Sequence, residues 1–593
     1  MSPSGQVLRS GGKALTARRG SRHFEPIEFN APKGNERINL KIVAKFETDL
    51  DRPPLEDTFS LSVFPQESVP NFKREALLID ASGDTAAALR RMKVSFKEVD
   101  SINELTPGTL LIIGRSSYGK ALKTLRGVAM NGAVEQGVNV LVLEQGFRNV
   151  AGITVECFQT RRVFPLLHRH PLLAGLEPKD FIDWRGESSL LPAYQNWNED
   201  SNWRVGANLL PSKHGQKNSF GQQRFWHWSN KGIVSTFCFQ KPQLGNYRIL
   251  LQNGFDCLYT PLVEFEKGRG RILFSQLDLV DHYGKDPVST RLFHRMLQTM
   301  QQPKAIARLP VGFVGDESQK LLKLTRMDAK AGLEETSVAL VSLNEIEDFG
   351  EVSAFVEDGG TLLVSIPSAG AASLLPVKIK IKPNTALPDE EKSKQAPPFL
   401  KDAEIVEDKT EVSDQDDEFL TGEDKDKPPR LIVTQDKTTT RNVESTPKLF
   451  PSGLPKHPAF AGLSLSDLYF RQSHKRVPLV ESVEGRPADN GLIGAISYGK
   501  GTIIYIQPRP EMFEDAWHKT KVIRLYNTIL TNLGIRSKVS PDFRLIGGHG
   551  PAEEWLPGFQ SKVPNLENRP MAEESPLYHA PALNFDPNVH VVW

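Results

Sequence analysis

Residues 264–297 read EFEKGRGRILFSQLDLVDHYGKDPVSTRLFHRML. Gly268 and Gly270 mark a turn. An apolar run over 271–276 follows, bounded by turn residues, which predicts a central strand covered on both faces. After a polar loop, Leu292, Phe293, Met296 and Leu297 recur at helical spacing. Residues 498–534, YGKGTIIYIQPRPEMFEDAWHKTKVIRLYNTILTNLG, repeat the plan: an aromatic residue, Gly-Lys/Arg-Gly, an apolar strand ending in Gln, a polar loop and a helix. Gln276 aligns with Gln507, and Arg291-Leu292 with Arg524-Leu525. The rest of the chain aligns outward from these two copies.

Between residues 75 and 300 strands and helices alternate. EALLID (75–80), FKEVD (96–100), TLLIIG (109–114) and NVLVLEQ (139–145) read as strands. A helix is expected over roughly 118–136, with Leu122, Leu125, Val128 and Ala129 on one face. Such alternation implies right-handed crossovers and a doubly wound parallel sheet. Residues 310–535 repeat it more loosely: SVALVS (337–342) matches TLLIIG, and KHPAFAGLSLSDLYF (456–470) matches RHPLLAGLEPKDFIDW. The expected class is therefore α/β, with two tandem doubly wound parallel-sheet units at 71–303 and 304–540. A few sandwich-type strands precede them at 24–70, where INLKIVAKFETDL and TFSLSVFP alternate in strand fashion. These are too few to bury a core alone, so they read as an add-on or as the end of an immunoglobulin-like sandwich. Residues 1–23 read as a disordered lead-in. Residues from about 376 to 450, dense in acid, read as a disordered surface insert, and 541–593 as an irregular tail.

The chain has 593 residues, 39% hydrophobic and 24% charged, with a net charge of +1. That is ordinary globular material with no global field toward nucleic acid or membrane, and neither is expected as a partner. No apolar run reaches the length of a membrane span, and the basic N-terminus lacks the apolar core of a signal peptide. The location is left open, periplasmic or extracellular included. Cys157, Cys238 and Cys257 have no metal-ligand spacing. No cofactor and no metal are expected.

Ligands of open α/β sheets sit at the carboxyl ends of the strands. There the first copy places Glu144, Gln145, Gln276, Asp278 and Asp281, with Asp183, Trp184 and Glu187 in a neighbouring segment. These eight residues form the candidate ligand or partner surface. The turn after NVLVLEQ, where a nucleophile elbow would stand, carries Glu144-Gln145-Gly146 and no cysteine. Its counterpart is Ser365-Ile366-Pro367-Ser368, which lacks the small flanking residues of an esterase elbow. His168, His170, Asp180 and Asp183 could be drawn as metal ligands, but the repeated His-Pro…Ala-Gly-Leu motif reads more simply as a turn seating a leucine.

VEQGVNVLVLEQ, the HPLLAGL…DW-RGE segment and the GRGRILFSQLDL…DP…RLFHRML segment resemble the C-terminal accessory region of bacterial glycoside hydrolase family 2 proteins, the β-galactosidase and β-mannosidase group. TFSLSVFPQ resembles the closing strand of the immunoglobulin-like domain before that region. The resemblance implies catalytically silent amidotransferase-like domains. The family's (β/α)₈ barrel, with its acid/base and nucleophile glutamates, is not found, so no catalytic residue carries over. The implied role is assembly or binding in carbohydrate degradation, with a glycan or a glycoside hydrolase catalytic subunit as partner and self-association left open. Two alternatives stand beside it: a glycan-active hydrolase with a carboxylate site of its own, and a scaffold outside glycan metabolism. On the silent reading, Glu144→Gln and Asp278→Asn leave thermal stability nearly unchanged.

Overall fold

The computed structural model describes residues 7–16, 28–47, 54–66, 75–99, 101–146, 149–156, 159–190, 230–254, 257–302, 308–346, 349–382, 453–470, 477–513 and 515–544. The Trp-rich stretch around Trp197, Trp203, Trp226 and Trp228 lies outside them, as do residues 383–450 and the chain beyond 544.

The first unit contains β3 (Ala76–Ile79), α1 (Asp84–Arg91), β4 (Phe96–Glu98), β5 (Leu110–Ile113), α2 (Tyr118–Leu125), α3 (Gly127–Gln136), β6 (Asn139–Val142), β7 (Tyr259–Lys267), β8 (Gly270–Ser275) and α4 (Pro287–Met300). They follow a hairpin of β1 (Ile38–Phe46) and β2 (Leu55–Val63). Strands run in the order β4-β3-β5-β6-β8-β7, parallel as far as β8, with β7 antiparallel to it. Shorter strands from 149 to 253 extend this sheet beyond β7 to eleven strands. The second unit contains β9 (Val311–Val314), α5 (Asp316–Leu324), β10 (Ala329–Ala331), β11 (Val338–Ser342), α6 (Gly350–Glu357), β12 (Thr361–Ser365), β13 (Ile493–Tyr498), β14 (Gly501–Ile506) and α7 (Ala516–Asn532). Its six strands repeat the order, β10-β9-β11-β12-β14-β13, parallel up to β14. The chain is therefore a mixed α/β protein with parallel-rich sheets.

Both faces of the central strands of the two α/β sheets are covered, which is why those strands are apolar throughout. In the first unit Leu78, Ile112, Leu141 and Leu273 pack on α1 and α4, while Leu77, Ile113, Val140 and Phe274 pack on α2 and α3. In the second, Leu340, Leu363 and Ile504 meet α7, and Val341, Leu362 and Ile503 meet α6. Helix α4 starts where Asp286 accepts from the Val288 and Ser289 amides, with Pro287 at the first helical position. It then buries Leu292, Phe293, Met296 and Leu297 completely, each contributing about 1.5–3 kcal/mol.

The two glycine turns explain themselves physically. Each hairpin tip lies against the C-terminal end of the crossover helix before it. Arg269 N donates to Glu135 O, and Lys500 N to Glu357 O, both at 3.0 Å. These bonds satisfy helix-end carbonyls, and a basic residue suits the negative helix end. Gly268 (φ 58°) and Gly499 (φ 55°) take the left-handed conformation, and a Cβ on either would stand 2.6 Å from the Cα of Glu135 or Glu357. A Cβ on Gly270 would run into the carbonyls of Val134 and Val138, and one on Gly501 into those of Val356 and Gly360.

Two expectations are corrected. The helix over 118–136 is two, α2 and α3, broken at Arg126 (φ 58°) where Gly127 meets the Phe543 backbone. The break re-phases the face: Leu125 is buried and Val128 is 68% exposed. The insert cannot begin at 376, because Ile379–Lys382 is a strand paired with Leu479–Val483. Phe543, at the start of the tail, is fully buried in the first unit's core near Tyr118, as a tail wrapping over an earlier domain would be.

The β1–β2 hairpin is a separate two-stranded sheet among the described residues. Its base is docked by Arg37, which grips Asp180 with two 2.7 Å bonds, and by Phe64 beneath the guanidinium groups of Arg37 and Arg291. The two α/β units also touch directly. Asn527 exchanges two hydrogen bonds with the Gly245 backbone, and Arg308 pairs with Glu266 at 2.7 Å. Buried Lys241 of the first unit lies 3.4 Å from Asp467 of the second.

Candidate functional site

Four adjacent parallel strands, β3, β5, β6 and β8, end side by side. Their last residues lead into Asp80, Arg115, Glu144-Gln145 and Gln276-Leu277-Asp278 respectively. A short helical turn, Leu279–His282, then supplies Asp281 and His282. Gln276 locks the frame: its Oε1 accepts from Gln145 N at 2.8 Å and its Nε2 donates to Gln145 O at 3.1 Å. Gln145 in turn accepts from Tyr118 N and donates to Gly114 O, so both glutamines are structural clasps. Gln507 makes the same two-way clasp on Ile366 in the second unit, at 2.9 and 3.0 Å.

The ionic centre is Arg115. Its Nη2 lies 3.0 Å from Glu144, 2.7 Å from Asp278 and 2.9 Å from Asp281, while its Nη1 donates to Ser189 Oγ at 2.8 Å. Asp281 also accepts from Ser189 N at 2.7 Å. His282 Nδ1 meets Arg185 O at 2.8 Å, and its Nε2 stands 3.4 Å from Asp278 Oδ2. Arg115, Glu144, Asp278 and His282 have essentially no solvent-exposed side chain.

Burial pushes the Glu144 carboxyl up to about 8, with Asp278 and Asp281 adding to the rise against the pull of Arg115. Burial alone would lift Asp281 too, but Arg115 and then Ser189 hold it below the usual carboxylate range. Burial opposes protonation of His282, yet Asp278 outweighs it and raises the imidazole. Arg115 stays charged. Arg115 is thus the cation the three carboxyls share, and Glu144 is the one that burial drives toward its neutral form.

The sign for stability follows. Glu144's folded value lies above its ordinary value near 4.5, so its contribution is fully present below that pH and is lost as pH rises toward 8. Asp281 acts oppositely and loses its contribution as pH falls into the acid range. Glu144→Gln is therefore expected to match the wild type near pH 5 and to melt higher near pH 9. Thermal melts across that range check it, and parallel curves would refute it.

Glu144, Gln145, Gln276, Asp278 and Asp281 thus come together. Asp183, Trp184 and Glu187 do not join them. Asp183 is half-exposed and pairs with Arg161 at 2.6 Å, and Glu187 is exposed beside Lys231. Trp184 is buried, donates to Asp180 O, and sets its ring edge-on to His282 at 5.9 Å. Asp278 is a fully buried partner of Arg115, so Asp278→Asn is now expected to cost more than the near-silent change anticipated from the sequence. Sequence reasoning missed Arg115, Ser189 and His282. Arg115 alone carried a signal, as the charged residue directly after TLLIIG.

The metal drawing dissolves into structure. His170 Nδ1 accepts from Leu172 N and His457 Nδ1 from Ala459 N, so each histidine caps its turn. Asp180 and Asp467 each accept from the amide three residues back, closing matching capping boxes. Among the described residues no group of three or more His, Cys, Asp or Glu is placed to hold a metal ion. Cys238 and Cys257 form no disulfide. No described helix is long and apolar enough to cross a membrane.

No family model matches the chain, and no curated protein matches it. Among solved structures, Cytoplasmic Protein STM3548 from Salmonella typhimurium is similar at 12% identity, over 44% of this chain and 96% of that one, with a TM-score of 0.22. A likeness of that strength carries no argument about function.

Proposed function

We propose that the chain is a non-catalytic pair of flavodoxin-like, amidotransferase-like units, at 71–303 and 304–540, serving assembly or binding in a glycoside hydrolase system. The observation that carries the non-catalytic part is the state of Glu144. It stands at the strand end where an amidotransferase plan would present a cysteine nucleophile, and it is fully buried against Arg115. Its counterpart in the second unit, by the glutamine clasps, is Ser365, followed by Ile366 and Pro367 rather than an elbow. A nucleophile must be reachable and paired with a base, and neither position offers that. The glycan setting, with a glycan or a catalytic subunit as partner, is supported by the sequence resemblance alone.

The purified chain is expected to hydrolyse neither nitrophenyl β-glycosides nor glutamine. Turnover above background that disappears in Glu144→Gln would overturn the reading. It would favour a glycan hydrolase instead, using Glu144, whose proton burial helps to hold, with Asp278 beside it.

A further inference from the structure

The β1–β2 hairpin is held at one end. Arg37 and Phe64 dock its base, whereas residues 55–60, the tip half of β2, are exposed. Its side chains sort by face. Leu40 stands opposite Leu61, Ile42 opposite Phe59 and Phe46 opposite Leu55, so the apolar residues gather on one side. Lys41 with Ser60 and Lys45 with Glu56 fall on the other. The apolar side is the one covered at the base, since Leu40 is buried while Asn39 and Lys41 are exposed. Toward the tip that cover ends, and Phe46, Leu55 and Phe59 are 52%, 69% and 55% exposed. A two-stranded sheet with a bare apolar face is marginal in water and is stabilised by further strands. Among the described residues β2 pairs with β1 alone, so its outer edge is open to another strand.

We propose that the chain self-associates through this edge: β2 of one copy pairs antiparallel with β2 of a second copy, giving a four-stranded sheet about a two-fold axis at Phe59. The residues of β2 select that register. Keeping both apolar faces on one side requires odd-numbered residues to meet odd-numbered ones. Phe59 is the midpoint of the nine-residue strand, so an axis there pairs its whole length. It sets Thr58 across from Ser60, Glu56 across from Ser62 and Phe59 across from its own copy, with no like charges opposite. An axis at Glu56 or Asp57 would set an acid against itself. The edge of β1 is less suited, because it carries Lys41 and Lys45, and lysine guards an edge strand.

A second copy fits this edge for two further reasons. Antiparallel pairing brings each bare tip beside the covered base of the other copy, so the row of Phe46 and Leu55 continues into Val63 and Ile38. The row of Ile42 and Phe59 meets its own copy. Joining nine residues along each edge and covering three half-bare apolar side chains per copy removes on the order of 1,000 Å² from water, the lower end for a specific interface. The pairing is independent of any role in glycan breakdown.

Sedimentation equilibrium of the full chain tests this. The wild type is expected to double its mass between about 1 and 100 μM. Residue 59 meets itself across the axis, so Phe59→Lys and Phe59→Glu should each raise the dissociation constant at least about a hundredfold. Phe59 is half-exposed, so both variants should melt within a few degrees of the wild type. Mixed in equal amounts they should dimerise again, since lysine then faces glutamate, a rescue that misfolded variants could not give. A wild type still monomeric at about 100 μM would overturn the pairing, the edge then belonging to a strand of another protein or of this same chain. Single variants that dimerise as the wild type does, or an equal mixture that stays monomeric, would overturn it as well.

Discussion

Gly270→Ala and Gly501→Ala should each cost more than about 3 kcal/mol, and enough to leave little folded protein. The added methyl would meet two backbone carbonyls at either site, of Val134 and Val138 or of Val356 and Gly360. Carbonyls at a helix end cannot rotate away as a side chain can, so the hairpin must lift off the helix. Lifting it breaks the Arg269 or Lys500 amide bond and shifts β8 or β14, which are central in their sheets. Gly132→Ala is the control. It lies within α3, where a new methyl would have nothing within 4 Å, so it should gain roughly 0.5–1 kcal/mol from helix propensity. Urea unfolding of the three variants decides the matter, and a loss under about 1 kcal/mol at both conflicting glycines would show that the turns are not framework.

Arg115→Met is the second large effect, a loss of about 3–5 kcal/mol. It removes the cation paired with Glu144 and leaves Asp278 and Asp281 buried without it. Asp278→Asn should cost less, because Asp281 still faces Arg115. Glu144→Gln should cost little near neutral pH, where an amide copies the neutral acid. The Arg115→Met deficit should shrink on acidification, as the stranded carboxylates take up protons. Chemical melts at pH 4 and 7 measure this, and a deficit that stays constant between them would mean that packing, not charge, is what Arg115 supplies.

The framework was legible because its causes are local. Gly-Arg-Gly and Gly-Lys-Gly read as turns, Gln276 and Gln507 as the recurring ends of apolar strands, and Leu292, Phe293, Met296 and Leu297 as a helix face. The four-strand alternation of the first unit followed from apolar runs alone. The break at Arg126 was invisible because its cause, Phe543, lies more than 400 residues away. The carboxylates at the strand ends were found by position, but their partner was not. Nothing in the spacing of Arg115, Asp278 and Ser189 reveals that three distant loops converge, since that depends on how β5, β6 and β8 lie abreast.

The capping aspartates have one more consequence. Asp180 ends a capping box in the first unit and receives Arg37 from the hairpin before it. Asp467 ends the matching box in the second unit and receives Lys241 from the unit before it, alongside Arg524 of its own helix. Each socket takes one cation from the N-terminal side, and Asp467 takes a second, Arg524, from farther along the chain. During synthesis Arg37 is therefore made before Asp180, and Lys241 before Asp467. Each carboxylate thereby joins two segments of the chain, the hairpin to the first unit through Asp180 and the first unit to the second through Asp467.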